Sequence, residues 1–210
     1  MQTLRPGDEA VKVTLTAAER DQAIQHAKRV IADSGRRQLR NAHGLKADSL
    51  TGDQLTILGT LGEWAAAKGL GKPFPTGNIS NFGGADLPPN IGVRTVDSPD
   101  KRLWIRSADP SRFYYVLVLA LGHGKFELRG YIRGGDAKDQ PRWLNDAKNG
   151  RELVWWVPVP ALRPVHELLA DTGLTDDAPA PARVPKSVGQ TDWEPVVTVD
   201  AINWGWSYDR

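Results

Sequence analysis

The chain has 210 residues, a formal net charge of +2, 40% hydrophobic residues, 25% charged residues and no cysteine. This composition is typical of a globular protein with a buried core, and it excludes disulfides, cysteine-based zinc sites and a strong overall field for nucleic acid. The lack of cysteine is typical of a reducing cytoplasm and no apolar run reaches membrane-spanning length, so we expect a cytoplasmic protein without a membrane partner.

The first predicted helix follows a short extended lead. Thr16 and Glu19 form a capping-box pattern, and apolar residues then recur at helical spacing to about Asp33. The densest basic cluster of the chain comes next, and it contains Arg36, Arg37, Arg40 and Lys46. Phosphate contact by DNA is the functional interpretation of this cluster, and a solvated loop is the alternative.

A second helix is predicted from Gly52 to Lys68, and it carries one acid, Glu63, on a stripe of small residues. The residues three and four positions away from Glu63 are Gly59, Thr60, Ala66 and Ala67. Small residues let another element approach closely, which would point Glu63 into that contact. The alternative is an ordinary surface acid or one paired with a nearby arginine.

A turn-rich connection then leads to Asp86 and to a strand. Gly83 and Gly84 precede Asp86 and allow a tight bend that presents its carboxylate. In the strand Ile91–Val96, Arg94 lies on the face where Gly92 leaves space. Taken in isolation, Asp86 could be a turn residue and Arg94 a solvated strand residue.

The later elements predict the fold class. Strands are expected at 102–106, 113–121, 125–133 and 153–159, and a short helix at 160–170. In the strand 125–133, strict alternation places Phe126, Leu128 and Ile132 on one face and Tyr131 on the other. The prediction is an α+β (α/β/α-like) fold with a central mixed β-sheet flanked by helices.

The predicted organisation is a single domain over residues 1–170, a linker over 171–192 and a docked segment over 193–210. The linker is rich in Ala, Pro and Asp, whereas the last segment contains Trp193, Trp204 and Trp206 and is too apolar for a free tail. We expect it to dock on the core or on a partner subunit, which would give a homodimer.

The run GTLGEWAAAKGLG … GGADLPPNIGVRTV … LWIRSADPSRFYYVLVLALGHGKFELRGYIRGGDA resembles the PD-(D/E)XK nuclease-like superfamily. This is the fold of restriction endonucleases, and the chain looks like its small stand-alone phage and bacterial members. The resemblance covers about Leu50 to Leu169 and implies a restriction-endonuclease-like core. It also implies site roles, by position: Asp86 matches the first acid and Glu63 the additional helix acid.

The resemblance further implies that Mg²⁺ or Mn²⁺ is bound by Glu63, Asp86 and the Val93 carbonyl. Gly92 falls where the second acid of the motif stands, and Arg94 falls where its lysine stands. Glycine cannot ligate through a side chain, and arginine stays protonated, so Arg94 can stabilise phosphate charge but cannot act as a general base.

Three functional hypotheses follow. The first is a metal-dependent, nuclease-like phosphodiesterase acting on DNA, with Glu63, Asp86 and Arg94 as catalytic residues. The second is a catalytically inactive protein of the same fold that binds nucleic acid or a protein partner, as Gly92 and Arg94 would allow. The third is an assembly protein that uses its tryptophan-rich C-terminal segment as a contact.

Overall fold

The computed structural model describes residues 10–36, 52–74, 84–145 and 152–171. The chain in these ranges forms a mixed α and β fold. The helices are α1 (Ala17–Arg36), α2 (Gly52–Gly69), α3 (Gly134–Lys138) and α4 (Leu168–Asp171). The strands are β1 (Val11–Thr14), β2 (Ile91–Val96), β3 (Leu103–Arg106), β4 (Tyr114–Gly122), β5 (Lys125–Arg133), β6 (Leu144–Asn145) and β7 (Val154–Val157). None of the helices in these ranges has the length and apolar character needed to cross a bilayer.

Helix α1 begins with the capping box that the sequence predicts. The Thr16 backbone N–H donates to Glu19 Oε2 at 2.6 Å, and the Glu19 N–H donates to Thr16 Oγ1 at 3.2 Å. Glu19 also forms an ion pair at 2.7 Å with Lys68, in the last turn of α2, and this contact lowers the pKa of Glu19. The start of α1 is therefore tied to the end of α2.

The larger sheet has the strand order β1-β5-β4-β2 and is mixed, as predicted. Strand β2 runs parallel to β4, whereas β1 and β4 both run antiparallel to β5. Helices α1 and α2 pack on one face of this sheet over a shared apolar core. From β4, Val116 and Val118 point into that core, so the long apolar strand supplies every second side chain to the helices.

The other face of the larger sheet is covered by a second sheet, and here the α/β/α prediction is wrong. The alternate β4 residues Leu117 and Leu119 pack with Leu103 and Ile105 of β3. Strand β3 belongs to a three-stranded antiparallel sheet of order β3-β7-β6. The uninterrupted apolar run of β4 indicates that both of its faces are buried, but not whether helices or strands bury them.

Strand β5 contains a bulge that the alternation pattern does not show. Leu117 pairs with Gly130 and Val118 pairs with Leu128, so Arg129 is an extra residue in β5. The side-chain alternation therefore changes phase, because one inserted residue moves the following side chains to the opposite face. Tyr131 joins Phe126 and Leu128 in the helix-side core, and Ile132 faces the second sheet, opposite to the prediction.

The predicted helix over 160–170 is broken into short turns. Two 3₁₀ turns at Val159–Ala161 and Val165–Glu167 precede the single turn of α4. Between them Arg163 exchanges two backbone hydrogen bonds with Tyr131, at 2.8 and 2.9 Å, which holds Arg163 in extended backbone. Pro160 and Pro164 remove the donors that a continuous helix needs. Of the linker predicted over 171–192, only Asp171 is described, and it is the last residue of α4. The rest of the linker and the predicted docked segment lie outside the described residues.

Candidate functional site at the free edge of the larger sheet

A close contact between α2 and β2 positions Glu63. A Cβ atom at Gly62 would lie 1.8 Å from Oγ1 of Thr95, so only glycine allows the helix backbone to approach β2 this closely. Because β2 is an edge strand of the larger sheet, the next helix residue, Glu63, is brought to that edge. This close contact is made by Gly62, which is not one of the small residues on which the prediction rested, and a Cβ atom at Gly59 would meet no atom within 4 Å. Glu63 is nevertheless partly buried and is not an ordinary exposed acid.

Asp86 is held by the backbone of the edge strand. The Tyr114 N–H donates to the Asn90 carbonyl, so in the parallel ladder residues 92, 94 and 96 bond to β4. The backbone groups of 91, 93 and 95 point to the opposite side of β2, where the described ranges place no further strand of the sheet. On that edge the Val93 N–H donates to Oδ2 of Asp86 at 2.7 Å. The next residue, Leu87, exchanges two backbone hydrogen bonds with Ile91. The Asp86 carboxylate therefore occupies the outward N–H of Val93, to which a neighbouring strand would otherwise bond.

Arg94 is fixed between carboxylates and aromatic rings. Its Nη2 donates to Oδ2 of Asp109 at 2.8 Å, and its Nη1 lies 3.9 Å from Oδ2 of Asp86. The guanidinium carbon lies 4.9 Å from the ring centre of Tyr115 and 5.9 Å from that of Trp104. Since only 17% of the Arg94 side chain is exposed, the interpretation of Arg94 as a solvated strand residue does not hold.

The electrostatics of the site depend on two carboxylates that repel each other. The pKa of Glu63 is raised to about 8, mainly by burial and also by the charge of Asp86, while the charge of Arg94 opposes both effects. Burial also raises the pKa of Asp86, against the lowering effects of the Val93 N–H and Arg94. The structure thus places Arg94 next to Asp86, and the charges of both residues act on the carboxyl of Glu63.

The Val93 carbonyl, the third predicted metal ligand, is already engaged. Arg94 Nη1 donates to this oxygen at 3.2 Å. A carbonyl has a second lone pair, but a guanidinium on the same oxygen repels an incoming cation. Val93 therefore contributes to the site through its N–H on Asp86, and the predicted role for its carbonyl has no support in the geometry.

The ring of Tyr115 fills the space beside Gly92, where the nuclease resemblance would place a second acid. A Cβ atom at Gly92 would lie 2.7 Å from two ring carbons of Tyr115 and 3.7 Å from Oδ2 of Asp86. The tyrosine is fixed in place because its hydroxyl donates to the Pro110 carbonyl at 3.2 Å. No side chain can stand at position 92 unless Tyr115 moves.

Two carboxylates remain that could hold a divalent cation. Within the described ranges, no lysine or arginine lies within 4 Å of the Glu63 carboxylate, and no cluster of three or more His, Cys, Asp or Glu residues occurs. Mg²⁺ is often held by one or two carboxylates together with water and substrate phosphate. Glu63 and Asp86 fit that minimal arrangement, since a shared cation would relieve the repulsion between them.

Comparison of the chain with protein-family models, curated proteins and solved structures finds no match. Sequence reasoning missed Asp109, whose Oδ2 accepts hydrogen bonds from both Arg94 and the Arg106 N–H, the latter at 2.9 Å. Asp109 lies before a proline in a turn, and nothing in that local pattern links it to Arg94.

The predicted basic cluster cannot be placed relative to this site. Arg36 is the last residue of α1, and its side chain is not described. Arg37, Arg40 and Lys46 lie between residues 37 and 51, outside the described ranges. Their predicted contact with DNA stays a prediction.

Substituting Gly92 by alanine is expected to lower the free energy of unfolding by about 1–3 kcal/mol, because the new methyl group overpacks the Tyr115 ring. Urea denaturation measures this loss. Gly59→Ala is the matched control, since a Cβ at Gly59 meets no atom within 4 Å. In the double variant Gly92→Ala with Tyr115→Leu, part of the loss should be recovered. Equal stability of Gly92→Ala and the wild type would show that Tyr115 does not fill this space.

Proposed function

We propose that the chain is a metal-dependent, nuclease-like phosphodiesterase acting on DNA, with Mg²⁺ or Mn²⁺ held by Glu63 and Asp86. The observation that supports this proposal is that Arg94 Nη1 lies 3.9 Å from Asp86 Oδ2, while the charges of both residues act on the buried carboxyl of Glu63. Carboxylate pairs whose environment raises their pKa values are typical of functional sites. A cation placed between them would stabilise their charged forms and provide the contact to substrate phosphate.

Each residue has a distinct role in this proposal. A bound divalent cation would supply an acidified water and neutralise phosphate charge. Glu63 and Asp86 hold and orient the cation, and the Val93 N–H fixes one oxygen of Asp86. Arg94 acts through its positive charge on a non-bridging phosphate oxygen, because it is too basic to take a proton from water. Asp109 keeps the guanidinium in position and is a positioning residue.

The proposal predicts cation-dependent nicking of supercoiled plasmid by the purified protein. Mg²⁺ or Mn²⁺ should support it, EDTA should stop it, and Asp86→Asn should reduce the rate by at least about 100-fold while leaving the fold intact. Asp97→Asn is the control, because Asp97 is a partly exposed acid paired with Lys101 outside the site. Nicking that survives Asp86→Asn would exclude this site as its source.

A second candidate function is a protein with the same site that binds nucleic acid or a protein partner without cleaving it. The observation that favours this candidate is the closure of the site: Tyr115 occupies the space of the second acid, and Arg94 occupies the Val93 carbonyl. Calorimetric titration separates the two candidates. Uptake of Mn²⁺ that Glu63→Gln or Asp86→Asn abolishes supports the hydrolase, and no uptake with or without DNA supports the second candidate.

A further inference from the structure

The turn that follows β3 is held by a lysine from another element. Lys138, in the short helix α3, donates through Nζ to the Ser107 carbonyl at 2.9 Å and to the Asp109 carbonyl. Within the turn, the Asp109 N–H donates to the Arg106 carbonyl at 3.1 Å, and Asp109 Oδ2 accepts the Arg106 N–H at 2.9 Å. The residue before the lysine, Ala137, is fully buried, which fixes α3 in the core. Lys138 therefore holds the backbone from which the Asp109 side chain projects.

Asp109 and Asp86 lie on either side of the same guanidinium. Arg94 Nη2 donates to Asp109 Oδ2 at 2.8 Å, whereas Arg94 Nη1 stays 3.9 Å from Asp86 Oδ2. Arginine pairs readily with carboxylates, so a guanidinium released by Asp109 would move the short distance onto Asp86. Direct pairing with Arg94 would neutralise the Asp86 carboxylate. The position of Asp109 thus determines how much of the Asp86 charge stays available to a ligand.

We propose that Lys138 is a positioning residue of the candidate site. By holding the turn 107–109, it keeps Arg94 on Asp109 and leaves the Asp86 carboxylate free for a divalent cation. Lys138 acts through Asp109, since two cations such as Lys138 and Arg94 repel each other and form no direct pair. The part of this proposal that concerns the cation rests on the proposed function, whereas the control of Arg94 by Lys138 does not.

The sign of the effect on cation binding separates positioning from a plain charge effect. Removing the positive charge of Lys138 would, by electrostatics alone, strengthen the binding of a cation nearby. Loss of positioning acts in the opposite direction, because Arg94 moves onto Asp86 and competes with the cation there. A lysine that only stabilises the fold would leave the cation affinity of the folded protein unchanged. Weaker binding by a folded Lys138 variant is therefore specific to positioning.

Calorimetric titration of Lys138→Met with Mn²⁺ tests the proposal. Methionine keeps a long apolar side chain but has no donor for the two carbonyls. The variant should bind Mn²⁺ about 10-fold more weakly than the wild type, as variants that lose an outer-shell partner of a metal ligand do. Lys138→Arg should retain most of the affinity, because its guanidinium can still donate to both carbonyls. Circular dichroism verifies that each variant is folded.

Two further variants show whether the effect passes through Arg94. In an Arg94→Met background, Lys138→Met should cause no additional loss of Mn²⁺ affinity, because no guanidinium remains to move onto Asp86. Lys101→Met is the matched control, since Lys101 pairs with Asp97 outside the site, and it should bind Mn²⁺ as the wild type does.

A double-mutant cycle in EDTA separates failure of this proposal from failure of the proposed function. Lys138→Met and Arg94→Met should be coupled by at least about 2-fold in the unfolding equilibrium constant, as members of one hydrogen-bonded network are. Such coupling without any Mn²⁺ uptake by the wild type would uphold the control of Arg94 by Lys138 and refute the cation site. Additive effects in the cycle, or unchanged or tighter Mn²⁺ binding by Lys138→Met, would overturn the positioning role even if the protein cleaves DNA.

Discussion

Glu63→Gln is expected to make the stability of the metal-free protein much less dependent on pH. The wild type should lose stability as the pH rises from about 5 to about 9, and the variant should not. The folded protein raises the pKa of Glu63 to about 8, from a reference value of 4.5. At pH values between 4.5 and about 8, the Glu63 carboxyl is ionised in the unfolded chain but still protonated in the folded protein. The free energy of unfolding therefore falls with rising pH, by on the order of 4 kcal/mol once both states are ionised.

Urea denaturation at several pH values measures this effect in EDTA. The wild type should lose stability across the interval, Glu63→Gln should lose much less, and Glu167→Gln, in an exposed pair with Arg163, should behave as the wild type. Adding Mn²⁺ should stabilise the wild type at high pH, because a cation binds the ionised carboxylates of the folded state. If the free energy of unfolding of the wild type does not change with pH, Glu63 is not buried beside Asp86. The proposed cation site would then lose its basis.

Arg94→Ala is expected to lower the free energy of unfolding at neutral pH by about 3 kcal/mol, because removing one partner leaves buried carboxylates uncompensated. Asp109 loses an ion pair at 2.8 Å, and the Val93 carbonyl loses its donor. The side chains of Arg94 and Asp109 are only 17% and 16% exposed, so water cannot fully replace the lost contact. Arg94→Lys should give an intermediate loss, since lysine keeps the charge without the planar fork.

Chemical denaturation of Arg94→Ala and of the exposed control Arg102→Ala checks this prediction. The control should change stability by less than about 0.5 kcal/mol. A double-mutant cycle with Asp109→Asn should give a coupling energy of at least about 1 kcal/mol between Arg94 and Asp109. If Arg94→Ala loses as little stability as Arg102→Ala, the Arg94 guanidinium is solvated and mobile. The proposed contact between a rigidly held Arg94 and phosphate would then lose its support.

The parts of the fold that depend on neighbouring residues could be predicted from the sequence. The Thr16 and Glu19 capping box, the extent of α2 and the strand Ile91–Val96 each follow from a local pattern, and the structure contains all of them. The partial burial of Glu63 also had a local indication, because three of the four small residues beside it on the helix are buried. These patterns work because capping and periodicity are set within a few residues.

The parts that depend on distant residues could not be predicted in the same way. The second sheet, the bulge at Arg129, the Asp109 contact of Arg94 and the Tyr115 ring beside Gly92 all join segments that lie apart in the chain. Strict alternation gives Tyr131 the wrong face because a single inserted residue reverses it. For the candidate site, sequence order selected the two carboxylates and the arginine as candidates, but it did not indicate the groups that hold them.

The hydrogen bonds at Val93 have a consequence for the evolution of this protein. An unprotected sheet margin is a template on which other chains can add strands and aggregate. Asp86 takes the outward N–H of Val93 and Arg94 takes its outward carbonyl, so this pair makes that position unavailable to a foreign strand. Selection against self-association would preserve both side chains whether or not the protein is an enzyme. Their retention across relatives would consequently be no proof of catalysis, whereas retention of Glu63, which has no part in this protection, would be informative.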